Sequence, residues 1–209
     1  MEKFATLDAV AASLLEENVN TDDILPSVWV LNPSTDLGAK LFANRRYDGD
    51  GLENPEFVLN QPAFRQAGIL ISGANFGCGS SREAAVWALV RFGIRCLIAP
   101  SYGNIFYENC LQNGVLPVVL DTSRVNQLVA ALASAEHKTL TVDLTQCSVQ
   151  APGLEPIPFA ITEERREALL RGEDAVTQLL GLQSEVDAFE SRDLEDRPWI
   201  YRMGDPAAP

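Results

Sequence analysis

Two apolar runs separated by a helical stretch, in the middle of the chain, constrain the fold most strongly. Residues 67–73 form an apolar run bounded by glycines, which is typical of a buried strand. Residues 80–92 predict a helix that Gly93 ends, and residues 94–99 predict a second buried strand that Pro100 ends. Strands joined through one helix pair in parallel with a right-handed crossover. The sequence therefore predicts an α/β fold built on a mostly parallel central sheet.

The pattern continues after the second strand and then changes character. It predicts a helix, a strand and a helix, at residues 104–112, 115–120 and 123–135. It next predicts three short strands, at residues 139–144, 146–151 and 157–161, which form a β-rich extension. Two helices follow, at residues 162–170 and 173–180. Residues 57–60 are a further candidate strand. We expect one domain over residues 1–182 and a polar tail, or an arm that binds a partner, over residues 183–209.

Composition excludes several classes of function. The 209-residue chain has a net charge of −13, and phosphate backbones attract basic surfaces, so we expect no nucleic-acid partner. No apolar stretch approaches the roughly 18 residues that a membrane span needs, so we expect no membrane partner. The start of the sequence lacks the charged-then-apolar pattern of a signal peptide. We therefore expect a cytoplasmic protein.

The cysteines and the single histidine do not indicate a metal site on this chain. Cys78, Cys96, Cys110 and Cys147 form no Cys-x-x-Cys pair, and their spacing fits no zinc or cluster motif. Cys96 lies within an apolar run and is expected to be buried. His137 lies in a polar turn and is expected at the surface. Any metal chemistry must then come from elsewhere.

The glycine-rich loop after the first buried strand is the best candidate for a binding site. Ser80, with Glu83 three residues later, has the spacing of a capping box at a helix start. Gly77 and Gly79 allow the backbone to turn tightly and to approach a ligand closely. The N–H groups and the positive end of the helix then favour a carboxylate or a phosphate in the turn.

A cation in the first helical turn strengthens this hypothesis. Arg82 would oppose the helix dipole there unless an anion or a carboxylate compensates for it. Local features alone leave open a simple capped helix. A nucleotide-binding loop is disfavoured because the loop lacks the lysine of a P-loop and the Gly-x-Gly-x-x-Gly of a dinucleotide fold.

The loop also carries a family resemblance. Residues 75–83 (Asn-Phe-Gly-Cys-Gly-Ser-Ser-Arg-Glu) and 87–89 (Trp-Ala-Leu) resemble the signature of isopropylmalate isomerase small subunits. Those subunits correspond to the mobile swivel domain of aconitase. Further motifs agree in the same order, at residues 20–26, 54–60, 98–102, 105–107 and 113–118.

The resemblance implies a fold, a partner and a reaction. It implies a swivelling β/β/α layered domain like the aconitase C-terminal domain. It implies a heterodimer with a large cysteine-bearing subunit, which carries a [4Fe–4S] cluster that this chain does not. The reaction implied is the isomerisation of 2-isopropylmalate to 3-isopropylmalate by dehydration and rehydration, a step of leucine biosynthesis. The substrate is a small 2-hydroxy di- or tricarboxylic acid.

The resemblance also implies roles for residues of the glycine-rich loop. By motif match Ser80 is the base that removes a proton next to a substrate carboxylate, and Ser81 supports the site. Arg82 stabilises the serine anion and a substrate carboxylate. Gly79 lets the backbone approach the substrate. A serine hydroxyl is a very weak acid, so it can act as a base only where helix N–H groups and a guanidinium stabilise its anion.

A second set of residues is expected to bind or orient the substrate. Thr21, Asp22 and Asp23 match a family motif at the edge of the active site, where an aspartate orients the serine or the arginine. For Asp23, a structural role in a turn is an equal alternative. Arg46 matches an arginine near the irregular loop of the family. A surface ion pair is the favoured interpretation of Arg46, and a contact with a substrate carboxylate is the alternative.

Departures from the family pattern leave the substrate open. The usual histidine and proline after Ser-Ser-Arg-Glu are Ala84 and Val86 here, and residues 27–31 and 102–104 also differ. Residues 27–31 lie in a stretch thought to help select the side group of the substrate. A related hydro-lyase for a methylmalate-like or homoaconitate-like acid is therefore an alternative. A non-enzymatic anion-binding module is an alternative of a different class.

Overall fold

The structure is a computed structural model that describes residues 1–79 and 82–201. The chain divides into two compact units, residues 1–172 and residues 173–209. The division after Gly172 comes earlier in the chain than the boundary after residue 182 that the sequence indicated. The two units are described separately below.

The first unit is built on one seven-stranded sheet. Its strands are β1 (Thr6–Leu14), β2 (Ile69–Ser72), β3 (Cys96–Ala99), β4 (Leu116–Val119), β5 (Thr139–Asp143), β6 (Ser148–Gln150) and β7 (Ile157–Pro158). The strand order is β4-β3-β2-β1-β5-β6-β7. The first four strands of that order run parallel, and β5, β6 and β7 continue the sheet antiparallel. The predicted α/β class and the parallel pairing of β2 with β3 are confirmed.

The long strand β1 was not predicted, although it lies at the centre of the sheet. It pairs in parallel with β2, from Ala11 opposite Ile69, and antiparallel with β5, from Thr6 opposite Asp143. The β-rich extension is therefore not a separate layer, because β1 joins it to the parallel half. Small and polar residues give β1 a weak apolar pattern, and its many ladder hydrogen bonds hold it in place instead.

Helices cover both faces of the sheet in this unit. They are α1 (Thr21–Ile24), α2 (Ala43–Arg46), α3 (Glu83–Phe92), α4 (Asn104–Gln112), α5 (Thr122–Ser134) and α6 (Glu163–Arg171). Successive strand residues point to opposite faces. Leu70 of β2 therefore packs in one apolar core with α3 and α4, whereas Ile69 and Ile71 pack in the other with α5 and α6. The chain is thus layered helix–sheet–helix around β2.

Residues 57–60 do not form the predicted strand. Val58–Asn60 is a 3-10 helix, because Asn60 is buried and its side chain ties the segment to neighbouring loops. The Asn60 Nδ2 group donates to the carbonyl oxygens of Arg46 at 2.7 Å and of Asn54 at 2.8 Å. These bonds require a compact turn rather than an extended ladder.

The second unit is helical over its described residues, 173–201. It contains α7 (Ala175–Gly181), α8 (Gln183–Asp196) and α9 (Pro198–Tyr201). A polar tail or an arm that binds a partner was expected over residues 183–209, and α8 and α9 lie within that range. The Asp193 carboxylate is buried and accepts hydrogen bonds from Arg197 and, at 3.0 Å, from the Tyr201 hydroxyl, which raises the pKa of Tyr201. This contact fixes the corner between α8 and α9.

Candidate active site

Three loops meet at the carboxyl edge of the parallel strands. They follow β1, β2 and β3, and the glycine-rich loop after β2 is the middle one. Gly77 N–H donates to Val19 O at 2.8 Å on one side, and Phe76 N–H donates to Ser101 O at 3.1 Å on the other. In open α/β sheets, ligands bind at this edge of the strands. The geometry therefore places the motif where a site is expected.

Two glycines in this loop are required by its backbone. Gly77 has φ +71° and is buried, and a Cβ at this position would overlap the ring of Phe106. Gly79 has φ +93°, and a Cβ there would lie 3.5 Å from Asn20 Cβ. Left-handed backbone is costly for residues with a side chain. The loop can thus pack closely against α4 and against the segment after β1.

The segment after β1 presents Asp22 towards the glycine-rich loop. Asn20 caps α1: its side-chain oxygen accepts from the N–H groups of Asp22 at 2.8 Å and Asp23 at 2.9 Å. The Asp23 carboxylate accepts in return from Asn20 N–H at 3.1 Å. Asp23 therefore takes the structural role that was one of its two expected roles. Thr21 is buried, and its N–H donates to Cys78 O at 3.0 Å.

Asp22 and Arg82 form an ion pair across the site. The Arg82 guanidinium donates to the Asp22 carboxylate, over a separation of 60 residues in the sequence. The side chains of Arg82 and Asp22 are 30% and 54% exposed respectively, so a ligand can reach both. The pair joins two residues that the sequence assigned to the site from separate motifs.

The start of α3 differs from the prediction. Arg82 is the N-cap, with extended backbone (φ −126°, ψ 98°), and the helix begins at Glu83. Arg82 therefore does not occupy the first helical turn. Glu83 is the first helical residue rather than the third, and its carboxylate accepts from the Asn113 side chain at 2.9 Å. The predicted capping box is thus wrong at Glu83; Ser80 and Ser81 themselves lie outside the described residues.

Arg46 is buried, whereas the interpretation as a surface ion pair required it to be exposed. That interpretation is therefore wrong. It is 6% exposed, its Nε group donates to Asn60 Oδ1 at 2.9 Å, and its guanidinium stacks over Phe92 and Tyr47. No ion pair or hydrogen bond links it to Asp22 or Arg82 among the described residues. The structure therefore assigns Arg46 to the packing of the irregular segment.

Two of the three departures from the family pattern fall in different environments. Ala84 and Val86 are buried in the core beneath α3, with 8% and 0% exposure. Substitutions there change packing behind the site rather than its surface. Residues 27–31 form an exposed 3-10 helix directly after α1, and Leu31 is 83% exposed. Of these two departures, the one at residues 27–31 is therefore the one that reaches the surface.

The cysteines of this chain do not fit an iron–sulfur cluster. Among the described residues, no three His, Cys, Asp or Glu side chains are grouped as metal ligands. Cys96 and Cys110 are fully buried, and burial raises the pKa of both thiols. Cys78 and Cys147 are only partly buried, on different parts of the unit. His137 is exposed in its turn.

Two residues of the site were missed in the sequence. Asn20 followed by Asp23 has the spacing of a capping box, so this pattern could have identified the start of α1. Asn113 has no comparable local signal, because its partner Glu83 is 30 residues away.

Over residues 1–79 and 82–201, no helix is both long and apolar enough to span a bilayer.

Comparisons with known proteins agree with this geometry. The family model of the aconitase C-terminal domain matches residues 1–123. The chain is 48% identical over 200 residues to the 3-isopropylmalate dehydratase small subunit of Rhodospirillum centenum, covering 95% of this chain and 98% of that one. It is 43% identical over 201 residues to the corresponding subunit of Azorhizobium caulinodans, covering 96% of this chain and all of that one.

A solved structure has the same fold. The crystal structure of 3-isopropylmalate dehydratase from Methanocaldococcus jannaschii matches with a TM-score of 0.61 and 21% identity, over 90% of this chain and 99% of that one. The swivel-domain fold implied by the resemblance is therefore confirmed. The aconitase family is one of iron–sulfur enzymes, and small subunits are named for a larger partner. This chain belongs to the aconitase family, among the small subunits of 3-isopropylmalate dehydratase.

Proposed function

We propose that this chain is the small subunit of a hydro-lyase that isomerises 2-isopropylmalate to 3-isopropylmalate, in leucine biosynthesis. The names of its relatives support this proposal. The observation that carries it is the ion pair of Asp22 with Arg82, beside Gly79 at the carboxyl edge of the parallel strands. This arrangement presents an oriented guanidinium to a small anion, and the substrate is a dicarboxylic acid.

Each residue of the site has a role in this proposal. Arg82 binds a substrate carboxylate, and Asp22 holds the guanidinium in place. Ser80 removes the proton from the carbon next to a carboxylate, and Ser81 supports it. In this role the serine anion needs nearby positive charge, and the opening turn of α3 and the guanidinium of Arg82 are the groups that would supply it. Thr21 and Gly79 shape the backbone on either side of the anion.

The iron–sulfur cluster is assigned to the partner. We infer that a large cysteine-bearing subunit carries a [4Fe–4S] cluster and pairs with this chain as a heterodimer. The inference is supported by Cys96 and Cys110 of this chain, which are fully buried. The cytoplasmic location expected from the sequence remains a prediction.

The C-terminal unit is proposed to be an arm that binds the large subunit. Over residues 173–201 its helices expose apolar side chains, among them Val186, Phe189, Trp199 and Ile200. Aromatic side chains of this kind act as anchors in protein interfaces. The corner fixed by Asp193 holds the anchors of α9 in a defined place before binding.

A related 2-hydroxy acid is the second candidate substrate. The observation that favours it is the exposed segment of residues 27–31, which differs from the family pattern and begins three residues after the end of α1. An assay of the reconstituted two-subunit complex against 2-isopropylmalate, a methylmalate and homoaconitate decides between them. An anion-binding module without catalysis would show no turnover of any of these acids.

The test of the proposed base is Ser80→Ala in the reconstituted complex. We expect kcat to fall about 10²- to 10⁴-fold, the range for loss of a general base, while the substrate still binds. Ser134→Ala, on the distant helix α5, is the matched control and should leave kcat unchanged. Arg82→Lys should raise KM and lower kcat together, because lysine cannot hold a carboxylate through two parallel bonds. Near-normal kcat in Ser80→Ala would reject the assignment.

A further inference from the structure

The side-chain amide of Asn113 is fixed at both of its ends. It lies at the C-terminus of α4, where its Nδ2 group donates to Glu83 Oε1 and to Asn109 O, each at 2.9 Å. Its Oδ1 atom accepts from Trp87 Nε1 at 3.1 Å. An indole N–H can only donate and a carboxylate can only accept, so the orientation of the amide is determined by its partners. Asn113 thus connects α4 to the first two turns of α3.

The contact with Glu83 matters because of where that carboxylate lies. Glu83 is the first residue of α3 and directly follows Arg82, which pairs with Asp22. The Glu83 side chain is exposed, so nothing but its hydrogen bonds restrains it within the described residues. The bond to Asn113 draws it towards α4, 30 residues further along the chain.

A released Glu83 carboxylate would act on the anion site in two ways. It could pair with the guanidinium of Arg82, in competition with the substrate carboxylate. It would also bring a second negative charge, besides Asp22, towards a substrate that is itself an anion. Like charges placed together at a binding site weaken binding. The restraint on Glu83 therefore protects the positive character of the site.

We propose that Asn113 is a positioning residue that holds the Glu83 carboxylate away from the anion site formed by Arg82. This inference rests on the proposed function, and it concerns substrate binding rather than the proton transfer. Asn113 does not touch the substrate and acts only through Glu83. Loss of the amide should therefore raise KM more than it lowers kcat, and neutralisation of Glu83 should reverse the effect.

The test compares four forms of the reconstituted complex: wild type, Asn113→Ala, Glu83→Gln and the double variant. For Asn113→Ala we expect KM for 2-isopropylmalate to rise about tenfold, the effect of one misplaced charge contact, with kcat within about threefold of wild type. In the double variant KM should return to within about threefold of the Glu83→Gln value, because a glutamine side chain carries no charge. A purely structural role for Asn113 predicts no such rescue.

Several outcomes would overturn the inference. An unchanged KM in Asn113→Ala, or a double variant as impaired as Asn113→Ala, rejects the role of Glu83. If Asn113→Ala does not fold, the isosteric Asn113→Asp variant, which keeps an acceptor for Trp87, replaces it and must be rescued by Glu83→Gln. If the wild-type complex is active and Asn113→Ala leaves KM unchanged, this inference is refuted and the proposed function is not. A wild-type complex without activity on any 2-hydroxy acid tested refutes the proposed function, and this inference with it.

Discussion

The close approach of the glycine-rich loop to α4 can be tested by adding a single methyl group. Gly77→Ala places a Cβ where it would overlap the ring of Phe106, on backbone with φ +71°. The ring packs edge-on against Phe76 at a centroid distance of 5.5 Å, so it cannot move aside without disturbing that contact. Both the loop and the neighbouring helix must therefore adjust.

The expected destabilisation has two parts. An alanine forced into left-handed backbone costs about 1–2 kcal/mol. Overpacking in a buried site costs about 1–3 kcal/mol more. The free energy of unfolding should therefore fall by about 2–5 kcal/mol in total. Since 1 kcal/mol shifts the Tm of a chain of this size by about 2–4 °C, the change is readily measured.

A matched control separates the two parts. Gly153 has nearly the same φ, at +73°, but a Cβ there meets nothing within 4 Å. Gly153→Ala should therefore show the backbone cost alone. Urea unfolding of the two variants, followed by circular dichroism, gives the cost of the overlap as their difference. The Gly77 variant should also lose activity in the reconstituted complex, because the loop carries the site, whereas the Gly153 variant should not.

The result that would refute this reasoning is equality. If the two alanine variants lose the same free energy of unfolding, the overlap with Phe106 carries no cost and the loop is not held tightly against α4. A Gly77 variant that is fully active in spite of its destabilisation would show that the position of the loop does not matter to the site.

Two further predictions concern the ion pair and the C-terminal arm. Asp22→Asn should change the free energy of unfolding by at most about 1 kcal/mol, because the pair with Arg82 is partly exposed. It should nevertheless lower kcat/KM about 10²-fold, because the guanidinium is no longer held in place. Chemical unfolding and steady-state kinetics measure the two effects, and unchanged kinetics would contradict the prediction. The Trp199 residue is 63% exposed, so Trp199→Ala should change the free energy of unfolding of the isolated chain by at most about 0.5 kcal/mol. The same variant should raise the Kd for the large subunit by about 30-fold or more. Calorimetry of the two subunits measures this Kd, and an unchanged value would show that Trp199 is not part of the interface.

The sequence predicted the parallel half of the fold because its signals are local. Strand β2 lies between two glycines and β3 between a glycine and a proline, and both are largely apolar runs that are buried on both faces in the structure. Strand β1 carried no such signal, since small and polar residues alternate with its apolar ones. Its place is decided by pairing with β2 and β5, which are far away in the sequence. Long-range pairing of this kind has no local pattern.

The residues of the site were predicted from motifs. The predictions that were wrong concern residues whose contacts are distant in the sequence. Asp22 and Arg82 were assigned to one site from separate motifs, and the structure joins them in an ion pair. The start of α3 was placed too early because the local pattern assigned Glu83 to Ser80, whereas the structure gives its carboxylate to Asn113. Arg46 was expected at the surface because arginine usually lies there. Stacking on Phe92 and the bond to Asn60 allow its burial instead.

The negative charge of this chain explains why its anion site suits an enzyme whose active site is shared between two subunits. A chain of net charge −13 repels a dicarboxylate at long range, and Arg82 is already bonded to one carboxylate of its own. A guanidinium carries five N–H groups, so it can serve Asp22 and a substrate carboxylate together, but it balances only one negative charge. Under the proposed function, we therefore expect cations of the large subunit to bind the second carboxylate of the substrate. A substrate bound between the subunits would thus join them by charge, and binding by the small subunit alone should be weak.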